Sequence, residues 1–264
     1  MAPSEVRTLP DRLADELIAR IFTGQLVPGE SLPAERVLAA QLGVDRTSLR
    51  IALRQLTRMR LTRTVRGSGV TVLDYRQHAG IDFLAAVLDV PGLELGGAFM
   101  LEALDHWDDA MPHIVATAFA RATPGTIAEI DDLFGEQLRL LELPGQGARD
   151  EVVEVELDVH DRIVAMAGDV TLRLIANSTR PLRRQLTRLQ IDLVDMREQV
   201  AGQRAQLRAV LAGGEQIDAL RAAHGQSMKR MHRRLHAHIA TLPPAPWRTT
   251  KWDPTRAHAS GDER

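Results

Sequence analysis

Hydrophobic spacing predicts a short helical unit with a hairpin at the front of the chain and a long helical region behind it. Over residues 11–22, Leu13, Leu17, Ile18 and Ile21 recur on one face of a helix. Gly24 and Pro28-Gly29 stop that pattern. A second short helix is expected to open at Pro33, whose missing N–H costs nothing in a first turn, and to run to Leu42. Gly43 then supplies a left-handed C-terminal turn. Asp45 is placed to cap a third helix, in which Leu49, Ala52, Leu53 and Leu56 form the inward stripe. Two helices joined by a turn of a few residues containing glycine are a helix-turn-helix. Beyond Met59, Leu61 to Val65 and Val70 to Leu73 flank Arg66-Gly67-Ser68-Gly69, the pattern of a β-hairpin. The whole predicts a winged helix-turn-helix over residues 1–75.

Residues 74–80 read as a linker. From there to about 240 the period is helical, broken at Pro91-Gly92, Gly96-Gly97, Pro124-Gly125, Pro144 to Gly147 and Gly213-Gly214. Six or seven helices and essentially no sheet are expected over 76–242, so the fold class is mainly α, a winged helix followed by an all-helical bundle. Residues 243–264, with Pro243, Pro244, Pro246 and Pro254, are expected to form a mobile tail.

The net charge of −2 conceals an asymmetry. Residues 1–75 hold eleven Arg against eight Asp and Glu, leaving 22 basic and 27 acidic groups to the remainder. Between positions 46 and 66 there are seven Arg and no carboxylate. Arg46, Arg50, Arg54 and Arg58 follow one another every four residues, on a different face from the leucines. An ordinary solvated helix interleaves Glu with such Arg; a carboxylate-free ridge suits a polyanion. Recognition helices present their N-terminal residues to base edges, and an Arg fork on guanine is worth roughly 1–3 kcal/mol of discrimination. Thr47 and Ser48, beside Arg46, add short hydroxyls.

Other chemistries find little support. The chain has no Cys, which excludes disulfides, thiolate nucleophiles, cysteine zinc sites and iron–sulfur clusters. Its 3% aromatic content is too low for a base-stacking platform. No apolar run reaches 18 residues and Met1 to Pro10 has no signal-peptide core, so a cytoplasmic protein is expected. No His has a carboxylate three residues before it, which argues against a di-iron helical-bundle metalloenzyme, the rival class. Only Lys229 and Lys251 are available for Schiff-base chemistry, and no Walker loop or dinucleotide fingerprint occurs. A non-enzymatic, DNA-binding role is expected.

Residues 28–72, from Pro-Gly-Glu-Ser-Leu-Pro-Ala-Glu-Arg through Gly-Val-Asp-Arg-Thr-Ser-Leu-Arg to Arg-Gly-Ser-Gly-Val, resemble the DNA-binding domain of the GntR family of bacterial transcriptional regulators. The resemblance implies that Arg36, Arg46, Thr47, Ser48 and Arg50 contact operator DNA at the major groove, and Arg66 and Gly67 at the minor groove. Asp45 stands where the family commonly has a hydroxyl residue, a change expected to shift local base preference. The partners implied are a palindromic duplex operator, a second copy of the chain and a small-molecule effector.

The helical region resembles the sensing domains of the FadR-like branch. Many of its members carry an Asp four residues before a metal-binding His, with two more His on later helices. Glu156 stands at the Asp position, His160 at the first His and His224 at the last, while Gln203 to Gln206 offer no middle His. The branch's carboxylate-gripping Arg is also absent, with Trp107 near its position. Trp107, Glu156, His160 and His224 are therefore the candidate effector-pocket residues. A divalent metal is the cofactor the resemblance implies, with an incomplete ligand set. Because the small-acid Arg is missing, a fatty acid or acyl-CoA is the expected effector, with Arg180, Arg183, Arg184 and Arg188 gripping the CoA phosphates; the alternative is a metal-assisted small carboxylic acid. His232 and His236, surrounded by Lys229, Arg230, Arg233 and Arg234, read as a solvated basic helix end.

Overall fold

The structure, a computed structural model, describes residues 7–65, 69–211 and 217–243, and divides into two compact units, 1–94 and 95–244. In the first unit, α1 (Leu9–Phe22) starts at Thr8, which caps the Asp11 N–H while the Asp11 carboxylate accepts from the Thr8 N–H. Leu13, Leu17, Ile18 and Ile21 are all buried. α2 (Glu35–Leu42) ends at Gly43, whose φ of 68° is the left-handed conformation a Cβ disfavours. Pro33 lies ahead of this helix, not in its first turn: Ala34 is the N-cap and Pro33 follows strand β1 (Ser31–Leu32).

α3 (Arg46–Arg58) begins at Asp45 and buries Leu49, Ala52, Leu53 and Leu56. α1 packs on α3, so Leu13 and Leu17 share a core with Leu49 and Leu56. Truncating any one of these leucines to Ala costs about 2–5 kcal/mol. The wing is the antiparallel pair β2 (Thr62–Val65) and β3 (Gly69–Val72), in register from Thr62 opposite Val72 to Val65 opposite Gly69. β1 adds to the other side of β3, giving the order β1-β3-β2. A two-residue strand has no periodicity of its own, so only its pairing defines it.

The first unit continues beyond residue 75. α4 (Tyr75–His78) forms where a linker is expected, capped by Asp74, and α5 (Ile81–Asp89) packs on α1. Tyr75 lies between Phe22 and Phe83, at ring-centroid distances of 6.1 and 5.1 Å. Aromatic contacts of this kind fix a short segment that has little helix propensity of its own.

Among the described residues the second unit has six long helices: α6 (Gly97–Phe119), α7 (Pro124–Leu140), α8 (Gln146–Met166), α9 (Val170–Leu193), α10 (Met196–Leu211) and α11 (Ile217–Ile239). α11 lies along α6 and α7 pairs with α8, which pairs with α9. α6 and α11 approach closely enough that a Cβ on Gly225 would sit 3.3 Å from Pro112, and one on Gly97 2.6 Å from the Ile239 carbonyl. Met111, Ile130, Phe134, Val159 and Met228 belong to one continuous core. Among the described residues no helix is long and apolar enough to cross a membrane. Arg66, Gly67 and the tail from residue 244 onward lie outside the described residues.

Candidate functional site

Each unit carries one candidate site. In the first, Arg46, Arg50, Arg54 and Arg58 are all exposed, as is Arg36 on α2. The Arg46, Thr47, Arg50, Ile51 and Arg54 side chains border a shallow surface depression. Among the described residues one carboxylate reaches this ridge: Glu35 accepts from Arg50 at 3.0 and 3.3 Å. That pair is half exposed and therefore worth at most about 1 kcal/mol, weak enough for a phosphate or base to displace.

Asp45 is occupied within the chain. Its carboxylate accepts from the Ser48 N–H at 2.9 Å and from the Ser48 hydroxyl at 2.6 Å. These bonds, to the hydroxyl first and the backbone second, hold its pKa below the usual carboxylate range. Asp45 thus sets the start of α3 and turns the Ser48 hydroxyl so that its lone pairs remain to accept.

In the second unit, Trp107, Glu156, His160 and His224 line one cavity of about 70 Å3. Sites for drug-sized ligands usually enclose about 300–1,000 Å3, so this one suits a small molecule. Glu156 is 2% exposed and its Oε2 accepts from Gln137 Nε2 at 2.6 Å. Burial pushes its carboxyl pKa up, an effect the Gln137 bond partly offsets. Burial pulls His160 down to about 3 and His224 down to about 4, so both rings are neutral at physiological pH. Trp107 meets His160 edge-on at 5.2 Å.

Arg183, on α9, also lines the cavity and is 4% exposed. Its guanidinium lies 5.6 Å from the Trp107 ring centre. Nη2 donates to Asp161 at 2.6 Å and to the Ala176 carbonyl at 3.0 Å, while Nε and Nη1 have no acceptor. Burial, then the charges of Arg180 and Arg184, pull its pKa down to about 10, which leaves it cationic.

The other three arginines of the expected phosphate patch are spoken for. Arg180 pairs with Asp161, with Asp158 at 2.9 Å and with Glu154 at 3.4 Å; Arg184 pairs with Glu154 at 2.7 Å, and Arg188 with Asp150 at 3.4 Å. The basic patch expected to grip phosphates is a set of salt bridges between α8 and α9. His232 and His236 also differ from expectation. His232 is 4% exposed, and the two rings meet the buried Asp108 of α6 at 2.5 and 3.2 Å. Burial pushes the Asp108 carboxyl up, and the hydrogen bonds and charges of the two histidines more than reverse it. The surrounding cations occupy the opposite, exposed face of α11, which is why the run looks solvated in the sequence.

The donor set does not fit a metal ion. Among the described residues no group of three His, Asp or Glu side chains is placed to hold a metal ion. His160 Nε2 is 3.6 Å from Glu156, the Glu156 carboxylate is held by Gln137, and the Arg183 cation beside them opposes a second cation. Arg183 itself escapes a sequence reading because its neighbours Arg180, Arg184 and Arg188 suggest a single exposed stripe. A separating signal exists: Arg183, Leu186, Thr187 and Gln190 share the inward face.

A winged helix with an outward arginine ridge, followed by a helical domain around a small, mostly apolar cavity with a few polar groups, defines an effector-responsive DNA-binding regulator. Residues 9–72 match the family described as "Bacterial regulatory proteins, gntR family" and residues 112–216 match the FCD domain. The HTH-type transcriptional regulator Mce2R of Mycobacterium tuberculosis is 32% identical over 182 residues, 68% of this chain and 72% of that protein. The chain belongs to the GntR family of transcriptional regulators, with an effector-binding FCD domain. A fatty acid metabolism regulator protein of Shewanella denitrificans is 24% identical over 86% of this chain and 92% of its own length, in keeping with the FadR-like branch. The solved structure of Lar, which controls expression of the Listeria monocytogenes agr system, shares the fold with a TM-score of 0.51 at 17% identity, covering 90% of this chain and 99% of Lar.

Proposed function

We propose that two copies of the chain, related by a two-fold axis, bind a short palindromic operator through α3 in the cytoplasm, and that a small metabolite in the FCD cavity alters that binding without being chemically changed. In this reading Arg46 and Arg50 reach guanine edges, Thr47 and Arg36 meet phosphates or neighbouring bases, and the Ser48 hydroxyl accepts from a base donor. Asp45 acts as the cap that orients Ser48. Arg66 and Gly67, outside the described residues, enter the minor groove at the wing tip. The effector works by binding the DNA-competent and DNA-incompetent arrangements unequally, and the ratio of those affinities sets the response.

The observation that carries the DNA reading is the exposed Arg46, Arg50, Arg54 and Arg58 ridge, with a single displaceable carboxylate among the described residues. For the effector, a cavity of about 70 Å3 and a paired α9 stripe favour a small molecule over a fatty acid or acyl-CoA. Sequencing the host genomic fragments retained by the full chain would test the first part. A palindrome bound by two copies is expected, with Arg46→Ala and Arg50→Ala each weakening it by about 1–3 kcal/mol at fixed salt. Unchanged footprints in both variants would remove α3 from the interface.

A further inference from the structure

We propose that Arg183 is the anchor of the effector and takes the place of a metal ion: it binds the carboxylate of a short organic acid directly. The inference rests on the reading of the FCD cavity as the effector site. Arginine carries five N–H donors and no acceptor. Two are used on Nη2, and the three on Nε and Nη1 are buried with nothing to accept them, on a residue that lines the cavity. Buried donors in that state cost free energy that an arriving acceptor recovers.

Charge selects the ligand. His160 and His224 are neutral, burial pushes the Glu156 carboxyl pKa up, and Arg183 stays cationic on the cavity lining. The Asp161 carboxylate meets it only through Nη2. An anion is therefore favoured, and a divalent cation disfavoured. Two further unpartnered atoms complete the site. Gln203 Oε1 stands in the stretch where the family's middle histidine is missing, and His160 Nδ1 is also free; both residues line the cavity. Their capacity suits a short acid that carries a hydroxyl or similar group next to its carboxylate.

Thermal unfolding of the full chain in the presence of EDTA tests this directly. The probes are acetate, lactate, succinate and benzoate, each beside its neutral amide. At least one acid is expected to raise Tm by about 5 °C near saturation while its amide does not. Arg183→Met should weaken that acid by at least tenfold, roughly the worth of a charged hydrogen bond, and Arg183→Lys should restore only part of the loss. The Arg183→Lys arm and the wild-type acid-against-amide arm remain decisive if Arg183→Met does not fold. The proposal is overturned if no acid shifts the wild type, if the amides act equally, if the shift appears only when zinc or nickel replaces EDTA, or if Arg183→Lys binds as the wild type does. Operator binding measured in parallel separates the two levels: retained DNA binding with no acid response sinks this inference alone.

Discussion

Two arginine stripes in this chain have the same four-residue spacing and opposite fates. On α3, Arg46, Arg50, Arg54 and Arg58 face outward with Glu35 as their single carboxylate neighbour among the described residues. On α9, Arg180, Arg184 and Arg188 face α8, which meets them with Asp150, Glu154, Asp158 and Asp161. Spacing along one helix therefore identifies a charged face but not its purpose. The helix packed against that face decides whether the charge is available to a ligand or consumed within the fold.

The largest difference between the units should appear in acid. The folded pKa values of His160 and His224, about 3 and about 4, lie below the unfolded value near 6.5. Below 6.5 the unfolded chain binds more protons at these sites, so their contribution is fully present above that pH and is lost as pH falls toward 4. The slope is about 1.4 kcal/mol per pH unit for each histidine. Urea midpoints of the FCD domain measured between pH 7 and pH 4.5 should fall accordingly, and His224→Leu should flatten the profile. A wild-type midpoint that does not move would place both rings in water.

Removing one acid from each stripe sharpens the contrast. Asp161→Ala leaves the buried Arg183 without its carboxylate and should cost about 3–5 kcal/mol, read by denaturant unfolding. Asp45→Ala removes the α3 cap and should lower the urea midpoint of the first unit, with a loss in operator affinity because Ser48 loses its orientation. Glu35→Ala should change stability by no more than about 0.5 kcal/mol and leave DNA affinity equal or higher, since it frees Arg50. Equal losses from Asp161→Ala and Glu35→Ala would erase the distinction drawn between the stripes.

The first unit was largely legible because its information is local. Gly43 needs a left-handed turn, Asp45 caps its own helix, and the leucine stripe of α3 reports its own inward face. What escaped there depends on pairing with distant chain: β1 exists through β3, and α4 is held by the rings around Tyr75. In the FCD domain the four candidate pocket residues do share one cavity. Arg183 and the Asp108 pair with His232 were missed because burial of a charge depends on the facing helix. Counting charges along one segment cannot reveal that.

The salt dependence of operator binding tests the central claim most directly. Each arginine of α3 that neutralises a phosphate contributes about −0.9 to the slope of log Kobs against log salt. An Arg54→Ala/Arg58→Ala variant should flatten the slope by one to two units of about that size, whereas Arg184→Ala/Arg188→Ala should leave it unchanged. Identical slopes for the wild type and the α3 variant, or a loss confined to the α9 variant, would contradict the account.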